Sequence, residues 1–432
     1  MVSRKLEPLS RVFSSEEQVR EITERFGTPV YVYSQGLLEE QARKALAFPN
    51  AFGLTVRYAM KASPNANLLR IFYKQGIQID ASSKDEVYRA IRAGIPPESI
   101  LLTSQIAPKN LRALIDLGVN YNACSLTQLH KFVEAATGGR VSIRVNPGLG
   151  SGGTNRTNTG GESSSFGIWH EQLEEAFRIA KSGGLLVNRV HTHIGSGSDP
   201  QIWKKVSLMS LEIVRRFLER GFPISILNLG GGYKIRRMLE DKEADMQEIG
   251  SYVKRNFQEF REETGVSLHL EIEPGTFLVA NAGAVIARIE DIKTTPGYKF
   301  LITDSGMNEV PRPTMYAAQH PIAVIPRAPE NDENAKTDLY IVSGRCCESG
   351  DILTPSKKSP ERLKPRRLAE AKEGDLIVIG GSGAYCSGMA FKHYNSYPEA
   401  PEVLIGLDGK PLLIRARGTL EQITQNEIEV IR

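Results

Sequence analysis

Between Leu54 and Gly275 one pattern recurs along the chain: a short apolar, β-prone run, then a longer stretch with apolar positions every three to four residues. The runs are LTVRYAMKA, IQIDAS, ILLTSQ, NYNACS, RVSIRVNP, NRVHTHIGS, ISILNLGGG and LHLEIEPG, eight in all. The stretches between them, such as VYRAIRAGI, LTQLHKFVEAA and LMSLEIVRRFLERG, carry the spacing of amphipathic helices. Alternation of this kind predicts parallel βαβ units, and eight of them predict a closed (β/α)8 barrel over an open doubly wound sheet. We place this barrel at residues 36–285. After about Ala287 the pattern changes to separate strand-like runs, YKFLITDS, TDLYIVSG, DLIVIGGSG and PEVLIG, joined by Pro-rich and charged turns. The expectation for 286–432 is therefore an all-β domain. PRAPENDENAKTD and the basic SKKSPERLKPRR read as exposed loops.

At 432 residues with 41% apolar content the chain can bury large cores. The 54 Lys and Arg stand against 50 Asp and Glu and gather in no stripe, so neither nucleic acid nor an anionic membrane is indicated as a partner. Cys124, Cys346, Cys347 and Cys386 form no CxxC pair and read as free thiols of a reducing compartment. The N-terminus lacks an apolar export core, and no stretch is apolar enough to span a bilayer, so a cytoplasmic protein is expected.

In a barrel of this type chemistry sits where the strands end. The first run ends at Lys61 and is then broken by Ser-Pro-Asn. A lysine buried there as an unpaired cation is costly, so it either hides a partner or uses its amine. The sixth run ends at His191-Thr192-His193, the seventh at Gly230-Gly231-Gly232 and the eighth at Glu273-Pro274-Gly275. Three glycines after a late barrel strand let backbone N–H groups approach a phosphate, although a plain tight turn has the same composition. The HxH pair also suits a metal, but the only later histidine on a barrel run, His269, opens its run at the opposite end, and no metal is expected. Glu273 alone could be a buried carboxylate satisfied by backbone donors. Taken together, an amine, an imidazole, a phosphate cradle and a carboxylate around one mouth are the parts that hold pyridoxal phosphate. The polar, Gly-rich segment Ser151–Gly167 after the fifth run is too long for an ordinary connection and reads as a lid.

From YAMKAS through HTHIGS, NLGGGY, EPG, DSGMNEVPRPTMY, CCESGD and GAYCSGMAFKHYNSYP, the chain resembles the fold-type-III pyridoxal-phosphate decarboxylases over nearly its whole length. The resemblance implies a barrel plus a β domain that takes up the N-terminal segment 1–35. It makes Lys61 the lysine that carries the cofactor and His193 the imidazole stacked on its ring. Ser196, Gly230, Gly231, Gly232, Gly275 and Tyr385 become cofactor contacts, and Glu273 the partner of the pyridine nitrogen. It further implies decarboxylation of meso-2,6-diaminopimelate to L-lysine, with Cys347 as proton donor and Glu348 holding the distal ammonium. Both would come from the second subunit of a homodimer. Arg312, Tyr316 and Tyr385 would contact the substrate, a guanidinium suiting its distal carboxylate. The family usually has EPGR, whereas here the fourth residue is Thr276, so Arg156 in the lid is the expected replacement. The rival readings are decarboxylation of ornithine, arginine or carboxynorspermidine, a non-catalytic homologue, and a barrel metallohydrolase.

Overall fold

In the computed structural model, which describes residues 11–150, 159–195, 197–328 and 336–431, each of the eight predicted runs is a strand. These are β1 (Leu54–Ala59), β2 (Gln78–Ala81), β3 (Ile100–Thr103), β4 (Asn120–Ala123), β5 (Arg140–Asn146), β6 (Leu186–Thr192), β7 (Ile226–Asn228) and β8 (His269–Ile272). Each pairs in parallel with the next, and β8 pairs with β1, so the sheet closes into a barrel without an exposed edge.

Local chemistry fixes where strand gives way to helix. After β2, Ser83 Oγ accepts from the Glu86 N–H at 3.1 Å, while the Glu86 carboxylate accepts from the Ser82 N–H at 2.6 Å. After β4 the same device recurs: Ser125 Oγ accepts from Gln128 N–H at 3.1 Å, and Gln128 Oε1 accepts from Cys124 N–H at 2.8 Å. Each reciprocal pair satisfies donors that a helix start leaves orphaned, so helices Lys84–Arg92 and Leu126–Ala135 begin at defined residues. Their apolar faces, Val87 and Ala90 in one and Leu129 and Phe132 in the other, are buried.

The barrel forms one compact unit with residues 39–235 and 242–278, and the described residues of 1–38, 236–241 and 279–431 form a second. The second unit is built on a nine-stranded sheet. The N-terminal strand Val30–Ser34 lies in its middle, antiparallel to Gly283–Thr294 and parallel to Glu402–Ile405. Val30 and Val32 pack there with Ile286, Val378, Val403 and Ile405 in a common apolar core. The four predicted β runs are strands Lys299–Thr303, Thr337–Ser343, Leu376–Ile379 and Glu402–Ile405.

SKKSPERLKPRR corrects our reading, because it is not loop. It holds strand Ser359–Leu363, which forms a hairpin with Pro355–Ser356, and the start of strand Arg366–Ala369, which pairs with Thr337–Ser343. Its lysines, arginines and prolines hide the alternation, as on edge strands that must stay soluble. Of PRAPENDENAKTD, residues 329–335 lie outside the described residues. No helix among the described residues is long and apolar enough to cross a membrane.

Candidate active site

On parallel barrel strands buried on both faces, alternate residues point into the lumen, and here that lumen is charged. Arg57 of β1, Arg189 and His191 of β6, Asn228 of β7 and Glu271 of β8 are all buried, as is Glu273 just beyond β8. Glu271 is the lower anchor. It accepts from Arg57 Nη2 at 3.0 Å and Arg189 Nη2 at 3.2 Å on one oxygen, and from Asn228 Nδ2 at 3.1 Å on the other. Burial alone would raise its pKa, but the two guanidiniums outweigh that and hold it below the ordinary carboxylate range.

Asn228 carries the network upward. Its Nδ2 also donates to Glu273 Oε1 at 2.7 Å, and its Oδ1 accepts from the Gly230 N–H at 2.8 Å. Glu273 Oε2 lies 3.1 Å from His191 Nε2. Burial pushes the Glu273 carboxyl up, yet the neighbouring His191 and the Asn228 hydrogen bond pull it well below its usual range, so the site holds a desolvated carboxylate.

The glycine run is shaped by this carboxylate's own backbone. A Cβ on Gly231 would stand 2.1 Å from Glu273 O, a contact with backbone that cannot swing away. Gly230 has φ +69° and lies against His193, where a Cβ would meet the His193 Cβ at 2.7 Å. Only glycine fits both positions. The Glu273 N–H donates to Gly230 O at 2.8 Å, tying the ends of β7 and β8 together. Gly275 packs on the end of β1, where a Cβ would lie 3.2 Å from the Ala59 Cβ. The Ala59 N–H donates to Pro274 O at 3.3 Å, so the EPG turn and the lysine turn are held side by side.

Lys61 sits in the single turn Met60–Ala62 that follows β1. Its side chain is exposed, correcting the expectation of a buried amine, while Met60 and Ala62 on either side are buried. Lys61 lies two residues past the end of β1, beyond the strand's alternation. The ammonium acts electrostatically on Asp80, Glu86 and His193. His193 is held neutral, its pKa far below the usual value, by burial first and then by the charges of Arg144 and Lys61. Its Nδ1, the Arg144 Nη2 and the Asp80 Oδ1 are buried with no hydrogen-bond partner among the described residues. Such orphaned groups at one mouth are what a polar ligand satisfies.

Ser196 and Arg156 lie outside the described residues, as do 151–158 of the expected lid. The remainder of that segment is anchored, since Asn146 accepts from the Gly161 N–H at 2.9 Å and donates to Gly161 O at 3.1 Å. The other predicted residues belong to the β unit. Arg312 begins the short helix Arg312–Tyr316, and its Nη1 donates to His320 Nε2 at 3.0 Å. The half-buried Tyr316 donates to Met389 Sδ at 3.8 Å. Tyr385 adopts a left-handed backbone with φ +56°, uncommon for a bulky residue and often found at functional sites. In CCESGD, Asp351 accepts from the N–H groups of Met307 at 2.6 Å and Cys346 at 2.9 Å, which fixes the loop. Cys346 turns inward, and burial raises its thiol to about 12, whereas Cys347 and Glu348 are exposed.

Comparisons with known proteins show the family and the fold. Residues 38–280 match the model for the pyridoxal binding domain of pyridoxal-dependent decarboxylases. The diaminopimelate decarboxylase of Escherichia coli K12 is 32% identical over 417 residues, covering 95% of this chain and 96% of that protein. The chain belongs to the diaminopimelate decarboxylase family. A crystal structure of diaminopimelate decarboxylase superimposes with a TM-score of 0.89 at 32% identity, covering 96% of this chain and 97% of the other. A second, the Helicobacter pylori diaminopimelate decarboxylase complexed with L-lysine, gives 0.82 at 27% identity, covering 95% and 99%. In this family member our motif reading passed over Asn228, Asp80, Arg144 and the Arg57–Glu271–Arg189 cluster. A signal for them exists, because polar residues two apart in otherwise apolar parallel strands, as in R-V-H and E-I-E, have nowhere to point but the lumen.

Proposed function

We propose that this chain removes one carboxylate from meso-2,6-diaminopimelate, giving L-lysine and carbon dioxide with pyridoxal phosphate as cofactor. The observation that carries this is Glu273, a buried carboxylate kept ionised at the end of β8 by His191 and Asn228. An anion there holds a proton on a pyridine nitrogen, which favours decarboxylation over chemistries that need a weaker electron sink. The remaining groups fit the same cofactor: the amine of Lys61 suits its aldehyde, the neutral ring of His193 its face, and the Gly230–Gly232 backbone its phosphate. Ser196, Gly275 and Tyr385 complete the proposed cofactor contacts.

When bound, pyridoxal phosphate supplies the sink for the electron pair released as the carbon–carboxylate bond breaks. Lys61 would hold the cofactor through its amine and would serve as a base at the mouth. Glu273, held ionised, would favour a proton on the ring nitrogen. Arg312, held by a neutral His320, would grip the distal carboxylate with Tyr316 and Tyr385, and to Arg156 we assign the role of the usual EPGR arginine. Cys347 returns a proton to the carbon that lost carbon dioxide, and Glu348 binds the distal ammonium. The exposure of Cys347 and Glu348, next to a Cys346 that is locked inward, supports their use by a second copy of the chain in a homodimer. We place the enzyme in the cytoplasm on its free cysteines, which suit a reducing compartment.

The test is carbon dioxide release by cofactor-loaded enzyme given meso-diaminopimelate, ornithine, arginine and carboxynorspermidine separately, with Lys61→Ala as the blank. Turnover of meso-diaminopimelate alone supports the proposal. Preference for a substrate without a second carboxylate would mean that Thr276 marks a changed pocket, and silence with all four would remove the enzymatic reading.

A further inference from the structure

The Arg236–Asp241 segment belongs to the β unit although barrel residues flank it on both sides in sequence. Arg237 is held there in a defined pose. Its Nε donates to Gly381 O at 3.0 Å, and its stem lies on Gly381, where a Cβ would come within 3.1 Å of its Cγ and Cδ. Its Nη2 is buried with no partner among the described residues.

The neighbouring carbonyl fixes Arg312. His320 Nδ1 lies 2.9 Å from Gly380 O, so that nitrogen carries the proton and Nε2 is left as the acceptor for Arg312 Nη1 at 3.0 Å. Burial first, and then Arg312 and Arg237, hold His320 neutral. Two consecutive carbonyls, Gly380 and Gly381, therefore aim two guanidiniums, one through a histidine and one directly. Both guanidinium charges also act on the Cys386 thiol, lowering its pKa against the larger effect of burial.

The charge there is not balanced. Asp241, a carboxylate acting on both arginines, already accepts from the Met238 N–H at 3.2 Å and lies 3.8 Å from the Lys357 ammonium. Burial, and then the Arg312 charge, pull the Arg237 pKa down to about 9, as expected of a desolvated cation facing another. Two arginines and a lysine around one aspartate leave a site that an anion completes.

We infer that Arg237 is a specificity residue: with Arg312 it forms a paired receptor for the carboxylate that the substrate keeps through the reaction, and so it selects a diamino dicarboxylic acid over a diamino acid with one carboxylate. This rests on the reading of Arg312 as the grip on the distal end. It would also give a chain with Thr276 in place of a cation a means to discriminate.

The test compares two competitive inhibitors of the cofactor-loaded enzyme that differ only by a carboxylate, L-lysine and cadaverine. Arg237→Gln should weaken L-lysine by about 10- to 100-fold, as for loss of a charge-assisted hydrogen bond, while leaving cadaverine unchanged. The KM for meso-diaminopimelate should rise more than kcat falls. Arg237→Lys, which keeps the charge and the fold, should lie between wild type and Arg237→Gln. Equal loss of both inhibitors, or of neither, overturns the inference. So does weakened cofactor binding with the lysine-to-cadaverine ratio intact, which would mean that the pair holds a phosphate. If Arg312→Gln gives the carboxylate-specific loss and Arg237→Gln does not, this inference fails while the reading of Arg312 stands. If neither variant gives it, both fail.

Discussion

Replacing Glu271 by Gln changes one oxygen to an amide and leaves the volume of the barrel interior as it was. The result should still be severe. Arg57 is 3% exposed, Arg189 8% and Glu271 2%, so the substitution leaves two guanidiniums facing each other out of water with their carboxylate gone. Breaking a buried ion pair by removing one partner costs about 3–5 kcal/mol, a large part of the roughly 5–15 kcal/mol that holds a domain folded. For a unit of this size each kcal/mol lowers the melting temperature by about 2–4 °C, so the barrel transition should fall by roughly 6–20 °C. Differential scanning calorimetry and urea unfolding of wild type and Glu271→Gln measure this directly. A companion variant separates charge from packing: Arg57→Met, Glu271→Leu and Arg189→Leu together remove every charge and should recover most of the loss. A Glu271→Gln barrel that melts with the wild type would refute the argument, since the triad would then be solvated or the guanidiniums satisfied elsewhere.

Three further outcomes follow from the same geometry. Gly231→Ala puts a Cβ 2.1 Å from Glu273 O, so the run must shift, and titration with pyridoxal phosphate followed by visible absorbance should show at least about tenfold weaker binding, a loss of roughly 1.4 kcal/mol. Glu273→Gln should still take up the cofactor but release carbon dioxide roughly 100-fold or more slowly, whereas wild-type rates would exclude a role for the carboxylate at the ring. His320 is buried neutral with its folded pKa well below 6.5, so the unfolded chain binds the extra proton first as pH falls. Stability of the β unit should therefore be full above about pH 6.5 and drop by about 1.4 kcal/mol per unit below it until the folded pKa is reached, and His320→Gln should remove that share of the slope.

The barrel was legible because its signal is repeated. Eight short runs, which become strands of three to seven residues, alternate with amphipathic segments and leave few other folds, and Ser83 with Glu86 or Ser125 with Gln128 mark two of the joins in the sequence itself. The hairpin at Ser359–Leu363 was not legible because an exposed edge is built from residues that also build loops. The site residues divide in the same way. Lys61, Glu273 and the glycines stand where strands stop, so topology alone makes them candidates. Asn228 also ends a strand, but its importance lies in bridging Glu271 and Glu273 across strands, a contact that no spacing along the chain encodes.

The exposed Lys61 shows where strand periodicity ceases to govern. Alternation decides the direction of a side chain only while the backbone is extended, and β1 ends at Ala59. Two residues later the turn has already rotated the chain, so burial of Tyr58 and Ala59 carries no information about the lysine. Glu273 also lies beyond its strand, one residue past Ile272, but the backbone bond from its N–H to Gly230 O prolongs the pairing by that one position and keeps the side chain on the lumen face of Glu271. The two groups that matter most to the proposed chemistry are therefore positioned by opposite means. The carboxylate is fixed as a continuation of the barrel's charged interior, where desolvation and His191 set its ionisation. The amine lies beyond the strand in a single turn, where neither the β1 pairing nor the lumen alternation sets its direction.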